Sequence, residues 1–406
     1  MKNCKICNAA VEPLMSFGPM PIANGFLSRD EFSTEYFFDM EVGFCDSCKG
    51  FQLIHQPNPE KMFHENYAFF SSLSMHMQTH FKKFASEVMN LLGNDPKKFV
   101  IELGSNDGIM LKNFMEAGYG HLGIEPSANV AKIANDNNVR SISKFFSSNL
   151  ASELIAEYGH ADAITSANVM CHIPDINDVA LGISKLLKPG GFLVFEDPYL
   201  GSMIEKTSYD QIYDEHVFIF SAHSVSYIFE KNGMELIDVL PQETHGGSMR
   251  YVLSHKGAHA IMPSVDLIMN LERDQGLDSL NTFQLFKENC EKSKKELRQL
   301  LVDLKNQGKK VVGYAATSKS TTILNYCGIG PDLIEYIADT TPIKQGKFSP
   351  GMHIPVKPYS DFQKEKPDYA ILFAWNHWKE IRQKEVDYIA AGGKWVSFVP
   401  RVEVWE

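Results

Sequence analysis

Along this chain, short apolar runs that end in glycine-bearing turns alternate with longer stretches carrying an apolar stripe every three to four residues. The sharpest case is Phe99-Val100-Ile101-Glu102-Leu103-Gly104-Ser105-Asn106-Asp107-Gly108. Its first three residues predict a buried strand. Asp107 is placed to cap a helix starting near Gly108, with Ile109, Leu111, Phe114 and Met115 facing a core and Gly118 as the stop. Strand, glycine turn and helix form the opening unit of a doubly wound sheet, in which a ligand sits beyond the strand's C-terminal end. Three further runs predict strands: Leu122-Gly123-Ile124 ending at Glu125, Ala163–Asn168, and Phe192–Phe195 after Lys188-Pro189-Gly190-Gly191.

A second region of this kind follows. Phe283, Phe286, Cys290, Leu297, Leu301 and Leu304 predict one long amphipathic helix over 283–306, stopped by Gly308 and read as a structural spacer. Beyond it Lys310–Tyr314 predicts a strand running into a helix through Ala315-Ala316-Thr317-Ser318-Lys319-Ser320. Tyr336–Asp339 and Tyr369–Phe373 continue a second nucleotide-fold half. The expected class is α/β in three units: residues 1–75, 76–258 and 259–406.

Composition narrows the function classes. At 406 residues and 44% hydrophobic, the chain has material for real cores. A net charge of -11 disfavours a nucleic-acid backbone as partner, because phosphate binding needs clustered Lys and Arg. It leaves room for an anionic small molecule in a local basic pocket. No apolar run reaches about 18 residues, so no membrane span is expected. Met1-Lys2-Asn3-Cys4 lacks the apolar region of a signal peptide, and a cytoplasmic location is expected.

Four of the seven cysteines form two pairs, Cys4-x-x-Cys7 and Cys45-x-x-Cys48. Two such pairs supply four thiolates to a tetrahedral zinc. Disulfides or a redox pair are the competing readings. Without a secretion signal the first is disfavoured, and a redox site needs only one pair.

The turn Gly104-x-Asn106-x-Gly108, with Glu102 two residues ahead, resembles motif I of the S-adenosylmethionine-dependent methyltransferases. Asn106 stands where that motif has its middle glycine, and Asn tolerates a left-handed backbone. Glu125, about twenty residues on, matches the acid that holds ribose hydroxyls in such folds. Lys188–Gly191 is a third matching feature. Asn168 ends the strand Ala163–Asn168, and the loop after it looks into the same crevice.

Several polar groups remain open between a functional and a bland reading. Tyr67, Ser71 and Ser72 lie in an aromatic and hydroxyl-rich stretch that also reads as a helix N-terminus. His172 is either functional or a partly buried histidine. Tyr213-Asp214-Glu215-His216 packs four polar groups at a core boundary. His245-Gly246-Gly247-Ser248 is a close backbone approach to a ligand or a tight turn. Ser318, Lys319 and Ser320 offer amides, hydroxyls and charge to an anion, or only cap a helix.

Taken together, these motifs and Trp375-Asn376-His377 resemble the sugar C-methyltransferases of deoxysugar biosynthesis, over essentially the whole chain. The resemblance implies a small zinc-binding N-terminal domain, a central Rossmann-like domain binding adenosylmethionine and a C-terminal Rossmann-like domain. A nucleotide-linked 4-keto-6-deoxyhexose would lie between the last two. It implies that His216 is a base of near-neutral pKa for the C3 proton, supported by Tyr213 and Glu215, while Tyr67 and His172 hold the keto end. Cofactor contacts would come from Glu102, Gly104, Asn106, Gly108, Glu125 and Asn168, and substrate contacts from His245, Ser318, Lys319 and Ser320. Zinc on Cys4, Cys7, Cys45 and Cys48 would be structural, and the chain a monomer. A zinc-ribbon ribosomal-RNA methyltransferase, an O- or N-methyltransferase of the same sugars, and a non-enzymatic adenosylmethionine sensor are the rival readings.

Overall fold

The computed structural model describes residues 2–57 and 75–406. Tyr67, Ser71 and Ser72 lie outside the described residues. Three sheets carry the fold, alongside a two-stranded hairpin, Lys2–Asn3 with Ala10–Val11.

The central sheet has seven strands. Its spatial order is Met234–Gln242, Ser248–His255, Leu187–Pro198, Ala161–Ala167, Phe99–Leu103, Gly120–Ile124 and Ser141–Ile142. The last five run parallel, and Ser248–His255 inserts antiparallel beside Leu187–Pro198. Strand order reverses between Phe99–Leu103 and Ala161–Ala167, so the crevice opens beyond their C-terminal ends. Those ends carry Glu102, Gly104 and Asn168. The strand Phe99–Leu103 forms as expected, since Val100, Ile101 and Leu103 are buried on both faces of a parallel sheet. The helix after it starts three residues later than its sequence suggests, at Leu111 with Met110 as N-cap. Asp107 does not cap it. Residues 106–110 are spent instead on a turn in which Asn106 and Gly108 both take positive φ.

The C-terminal sheet has the order Val356–Pro358, Ile337–Asp339, Val311–Tyr314, Tyr369–Leu372, Lys394–Ser397 and Glu403–Trp405, parallel except for the last strand. Its own switch point lies between Val311–Tyr314 and Tyr369–Leu372, next to the helix Ser318–Cys327 and the Trp375–His377 turn.

Two packing details change the picture from the sequence. The helix Leu280–Asn306 buries all six predicted stripe residues, yet it is more than a spacer. Phe283 stacks on Phe44 of the N-terminal sheet at 4.3 Å between ring centroids, and the same core continues into Val311, Ile323 and Ile371. The helix Pro263–Asp274 packs with the central unit, where Val265 and Ile268 join its core and Glu272 accepts the Ala222 N–H at 2.6 Å. Among the described residues, no helix is long and apolar enough to cross a membrane.

The N-terminal sheet is completed from elsewhere in the chain. Its order is Phe218–Ile219, Gly50–Leu53, Phe37–Cys45 and Pro13–Pro21, all antiparallel. Phe218–Ile219 belongs to the segment just after Tyr213–His216. The sequence cluster of polar groups is thereby pinned where all three units meet.

Candidate active site

The four paired cysteines converge. Cys4 Sγ lies 3.5 Å from Cys48 Sγ and Cys7 Sγ 3.4 Å from Cys45 Sγ, and all four sulfurs fall within 4.8 Å of one another. These spacings suit four ligands on one zinc, with Zn–S near 2.3 Å. Gln52 Nε2 donates to Cys4 Sγ at 3.0 Å and the Ile6 N–H at 3.3 Å, so the surroundings already favour a thiolate. Four thiolates leave zinc no open position, which makes the ion structural.

The motif turn forms a cradle. Gly104 has φ +66°, and a Cβ there would sit 2.2 Å from Val169 Cγ2, so only glycine fits. Glu125 Oε2 accepts the Asn106 N–H at 3.0 Å and Oε1 the Ser127 N–H at 2.8 Å. This clamp holds the turn against the end of the second strand and leaves lone pairs for two hydroxyls. Glu102 is buried, its Oε2 has no hydrogen-bond partner, and burial with Glu125 and Asp107 nearby drives its carboxyl well above the usual range. The orphaned oxygen wants a cationic donor. The Ser105, Thr165 and Ser166 hydroxyls nearby on the same strand ends are also unpartnered. A ligand with an ammonium group, ribose hydroxyls and a sulfonium centre matches this donor and acceptor set, and adenosylmethionine is such a ligand.

Beside the cradle lies the histidine centre. His216 Nδ1 is 2.6 Å from the Gln211 carbonyl oxygen, which can only accept, so Nδ1 carries the hydrogen. Nε2 is therefore the lone-pair nitrogen, and it accepts the Tyr213 hydroxyl at 2.9 Å. The His172 ring stacks on His216 at 5.3 Å. Burial, with the neighbouring His172, holds the His216 pKa well below the ordinary 6.5. The near-neutral value expected from sequence is thus corrected: in the unliganded enzyme the ring is neutral and ready to accept. Burial alone brings His172 down to about 4.

Glu215 does not support His216 as expected. It turns to the N-terminal unit, where Asn24 Nδ2 donates to Oε1 at 2.8 Å. Burial, partly offset by that bond, pushes its carboxyl up to about 7. Asp214 Oδ1 accepts the Ala23 N–H at 3.0 Å. The Asp-Glu pair ties the Tyr213–His216 turn to the N-terminal unit.

The His245 loop closes the other side. His245 has φ +53°, an uncommon conformation for a residue with a side chain. A Cβ on Gly246 would sit 2.1 Å from Trp375 Cη2, so glycine lets the loop lie flat on the indole. Buried Lys319 donates to the His245 carbonyl at 3.3 Å, and Trp375 Nε1 donates to Asp210 Oδ2 at 2.7 Å. Lys319 thus lies against the His245 loop. Ser320 is not free for an anion as expected: its N–H is bonded to Thr317 Oγ1 at 3.1 Å and its hydroxyl donates to the Thr317 carbonyl at 2.6 Å. Thr321 and Thr322 donate to the Ala23 and Ile212 carbonyls, both at 2.8 Å. The Thr321 and Thr322 hydroxyls join the units together and do not face a ligand.

One network went unread in the sequence. Glu196 is buried and accepts from His80 Nε2 at 2.8 Å, Thr244 Oγ1 at 2.8 Å and Arg250 Nη2 at 2.6 Å, while its backbone carbonyl takes the Asn168 N–H at 2.7 Å. Burial opposes its charge, but His80 and Arg250 outweigh it and hold the carboxyl down to about 2. The network links the helix Met75–Leu91 to Asn168 and to the His245 loop. The signal available was the acidic pair Glu196-Asp197 straight after a buried apolar strand.

Comparison with known proteins agrees with this architecture. Residues 4–63 match a family model for a zinc binding domain, 76–239 a methyltransferase domain and 243–400 a C-methyltransferase C-terminal domain. The chain is 32% identical over 405 residues to C-methyltransferase NovU of Streptomyces niveus, covering 99% of this chain and 96% of that protein. A ubiquinone biosynthesis O-methyltransferase of Bordetella avium is 29% identical over 110 residues, 27% of this chain and 46% of that one. Among solved structures, the magnesium protoporphyrin IX methyltransferase of Synechocystis aligns at 14% identity and a TM-score of 0.35, over 48% of this chain and 89% of its own. The similarity to NovU runs from end to end and the three matched regions follow the order of the three units, so the chain belongs to the S-adenosylmethionine-dependent C-methyltransferases with an N-terminal zinc domain.

Proposed function

We propose that the protein methylates C3 of a nucleotide-linked 4-keto-6-deoxyhexose by way of an enolate. The observation that carries this reading is the His216 tautomer: a buried neutral imidazole whose basic Nε2 is bonded to a phenol hydroxyl. A carbon gives up its proton readily only beside an electron sink, and a ketone at C4 supplies one for C3. Methyl transfer to oxygen or nitrogen removes no carbon-bound proton and needs no such electron sink.

The geometry supports a division of labour. His216 Nε2 takes the C3 proton. That lone pair is free for the proton only once the Tyr213 hydroxyl swings from Nε2 to the keto oxygen, where it donates to the developing enolate. His172, neutral and stacked on His216, is placed to bind the keto end, a role we assign to Tyr67 as well. Adenosylmethionine supplies the electrophilic methyl group. Glu102 would hold its ammonium group and Glu125 its ribose, with Gly104, Asn106, Gly108 and Asn168 shaping the cradle.

The substrate's nucleoside diphosphate would lie along the C-terminal crevice, with Lys319 as its principal cation and Ser318 and His245 beside it. Lys319 and the helix start Ser318–Cys327 support an anion there. The overall charge of -11 and the absence of a basic stripe disfavour the RNA reading.

Two measurements test this. Incubation with adenosylmethionine and a panel of nucleotide 4-keto-6-deoxysugars should give a product heavier by one methyl, placed on C3 by NMR. A product methylated on oxygen or nitrogen would overturn the proposal. Glu125→Ala should weaken adenosylmethionine by roughly ten- to a hundredfold, the loss of a hydrogen-bonded charged group. Nucleotide-sugar affinity should stay nearly unchanged. Calorimetric titration of both ligands reads this directly, and equal cofactor affinity would remove Glu125 from the site.

A further inference from the structure

We propose that Cys171, His172 and His216 form a second metal site, which takes a soft divalent cation and silences the enzyme when filled. The inference rests on the reading of His216 as the base. One thiol and two imidazoles are the donor set that zinc and cadmium prefer. Their ligand atoms all lie within 4.8 Å of one another, and Cys171 and His216 are fully buried. Bonds of about 2.0–2.3 Å to a tetrahedral ion would draw them in by roughly 1 Å, within the reach of side-chain rotation.

The supporting shell is already built. A metal-bound histidine ordinarily donates its second ring N–H to a carbonyl or carboxylate. His216 does so now, with Nδ1–H on the Gln211 carbonyl, which leaves Nε2 for the ion. Cys171 sits on the short turn Met170–His172, which is held down by Asp197: Oδ2 accepts the Cys171 N–H at 3.2 Å. The cluster shares no residue with the zinc centre of Cys4, Cys7, Cys45 and Cys48.

Filling the site is a proton exchange. The Cys171 thiol loses its proton to solvent as sulfur binds the ion, and the Tyr213 hydroxyl is displaced from His216 Nε2. The lone pair that would take the C3 proton is then occupied. Three protein ligands leave one position open, so a bound ion can also hold a water or the substrate ketone. Burial keeps the thiol protonated in the metal-free state, so the cluster does not compete for ions as an exposed thiolate would.

The test uses full-length protein already carrying its structural zinc. Cadmium is titrated while bound metal, near-ultraviolet thiolate-to-metal absorption and methyl transfer are followed together. One extra equivalent, a new charge-transfer band and loss of activity are expected. Cys171→Ser should keep methyl transfer yet bind the extra cadmium at least tenfold more weakly. If that variant folds poorly, Cys171→Ala, and His172→Asn read by metal binding alone, should show the same weakening. No second equivalent on the wild type, or equal cadmium affinity in Cys171→Ser, would overturn the site. Cys171-dependent cadmium binding with undiminished methyl transfer would leave the site standing and discard His216 as the base.

Discussion

His216→Asn is expected to bind adenosylmethionine and the nucleotide sugar normally while methyl transfer falls by roughly 10²–10⁴, the range for removing a general base. Asn keeps a donor for the Gln211 carbonyl but has no basic nitrogen to take the carbon-bound proton. Exchange of the C3 proton with deuterated water, where wild type shows it without cofactor, should vanish as well. His172→Asn should instead lose rate through poorer placement of the keto end. Retained methyl transfer in His216→Asn, with exchange lost in His172→Asn, would reverse the two roles.

The pH dependence adds a second readout. His216 acts when neutral, and burial with nearby His172, His245 and Lys319 holds its pKa well below 6.5 in the free enzyme. The acid limb that His216 contributes to kcat/KM should therefore lie below pH 6.5. A diphosphate bound at Lys319 neutralises the cation among those neighbours, so the His216 limb in kcat should shift to higher pH. A separate limb near pH 7 would belong to Glu215, whose carboxyl burial brings to about 7, and should disappear in Glu215→Gln. A single limb unchanged by either substitution would contradict both assignments.

Removal of the structural zinc is expected to cost the enzyme its activity, although the ion takes no part in the chemistry. Structural zinc contributes about 10–16 kcal/mol of binding free energy in small domains, comparable with the whole stability of a typical fold. Here the consequence should spread. Cys45 ends the strand Phe37–Cys45, which pairs with Gly50–Leu53, which in turn pairs with Phe218–Ile219, two residues beyond His216. Loosening the zinc centre loosens the edge that holds the Tyr213–His216 turn. A strong chelator, or Cys45→Ser, should lower the melting temperature and abolish methyl transfer together, and zinc added back to the chelated protein should restore both. Chelated protein with wild-type melting and activity would deny the metal this role.

Local signals account for what could be read before the fold was known. Phe99–Leu103 with its glycine turn, Glu125 at the end of the next strand, the two cysteine pairs and the stripe of Leu280–Asn306 each depend on residues within one or two elements of each other. Backbone preference and apolar period suffice to place them. The two CxxC pairs predicted their own meeting, because four soft ligands in one chain have one tetrahedral partner to share.

What the tertiary structure decided is which polar groups face each other. Glu215 and His216 are neighbours in sequence, yet one turns to Asn24 and the other to Tyr213 and Gln211, because the segment is wedged between three units. Ser320 has no free amide for an anion, because Thr317 Oγ1 caps the helix by accepting its N–H. The Glu196 network joins residues from His80 to Arg250, and no spacing rule links them. Burial also set the His216 pKa, which residue type alone places near 6.5. The Thr317 cap is local, three residues from Ser320, but the physical reason is common to the other three. Strands and turns are chosen by short-range sterics and hydrophobic period, whereas hydrogen-bond partners and charge states depend on distance and on exclusion of water, and both exist only once the three units close on one another.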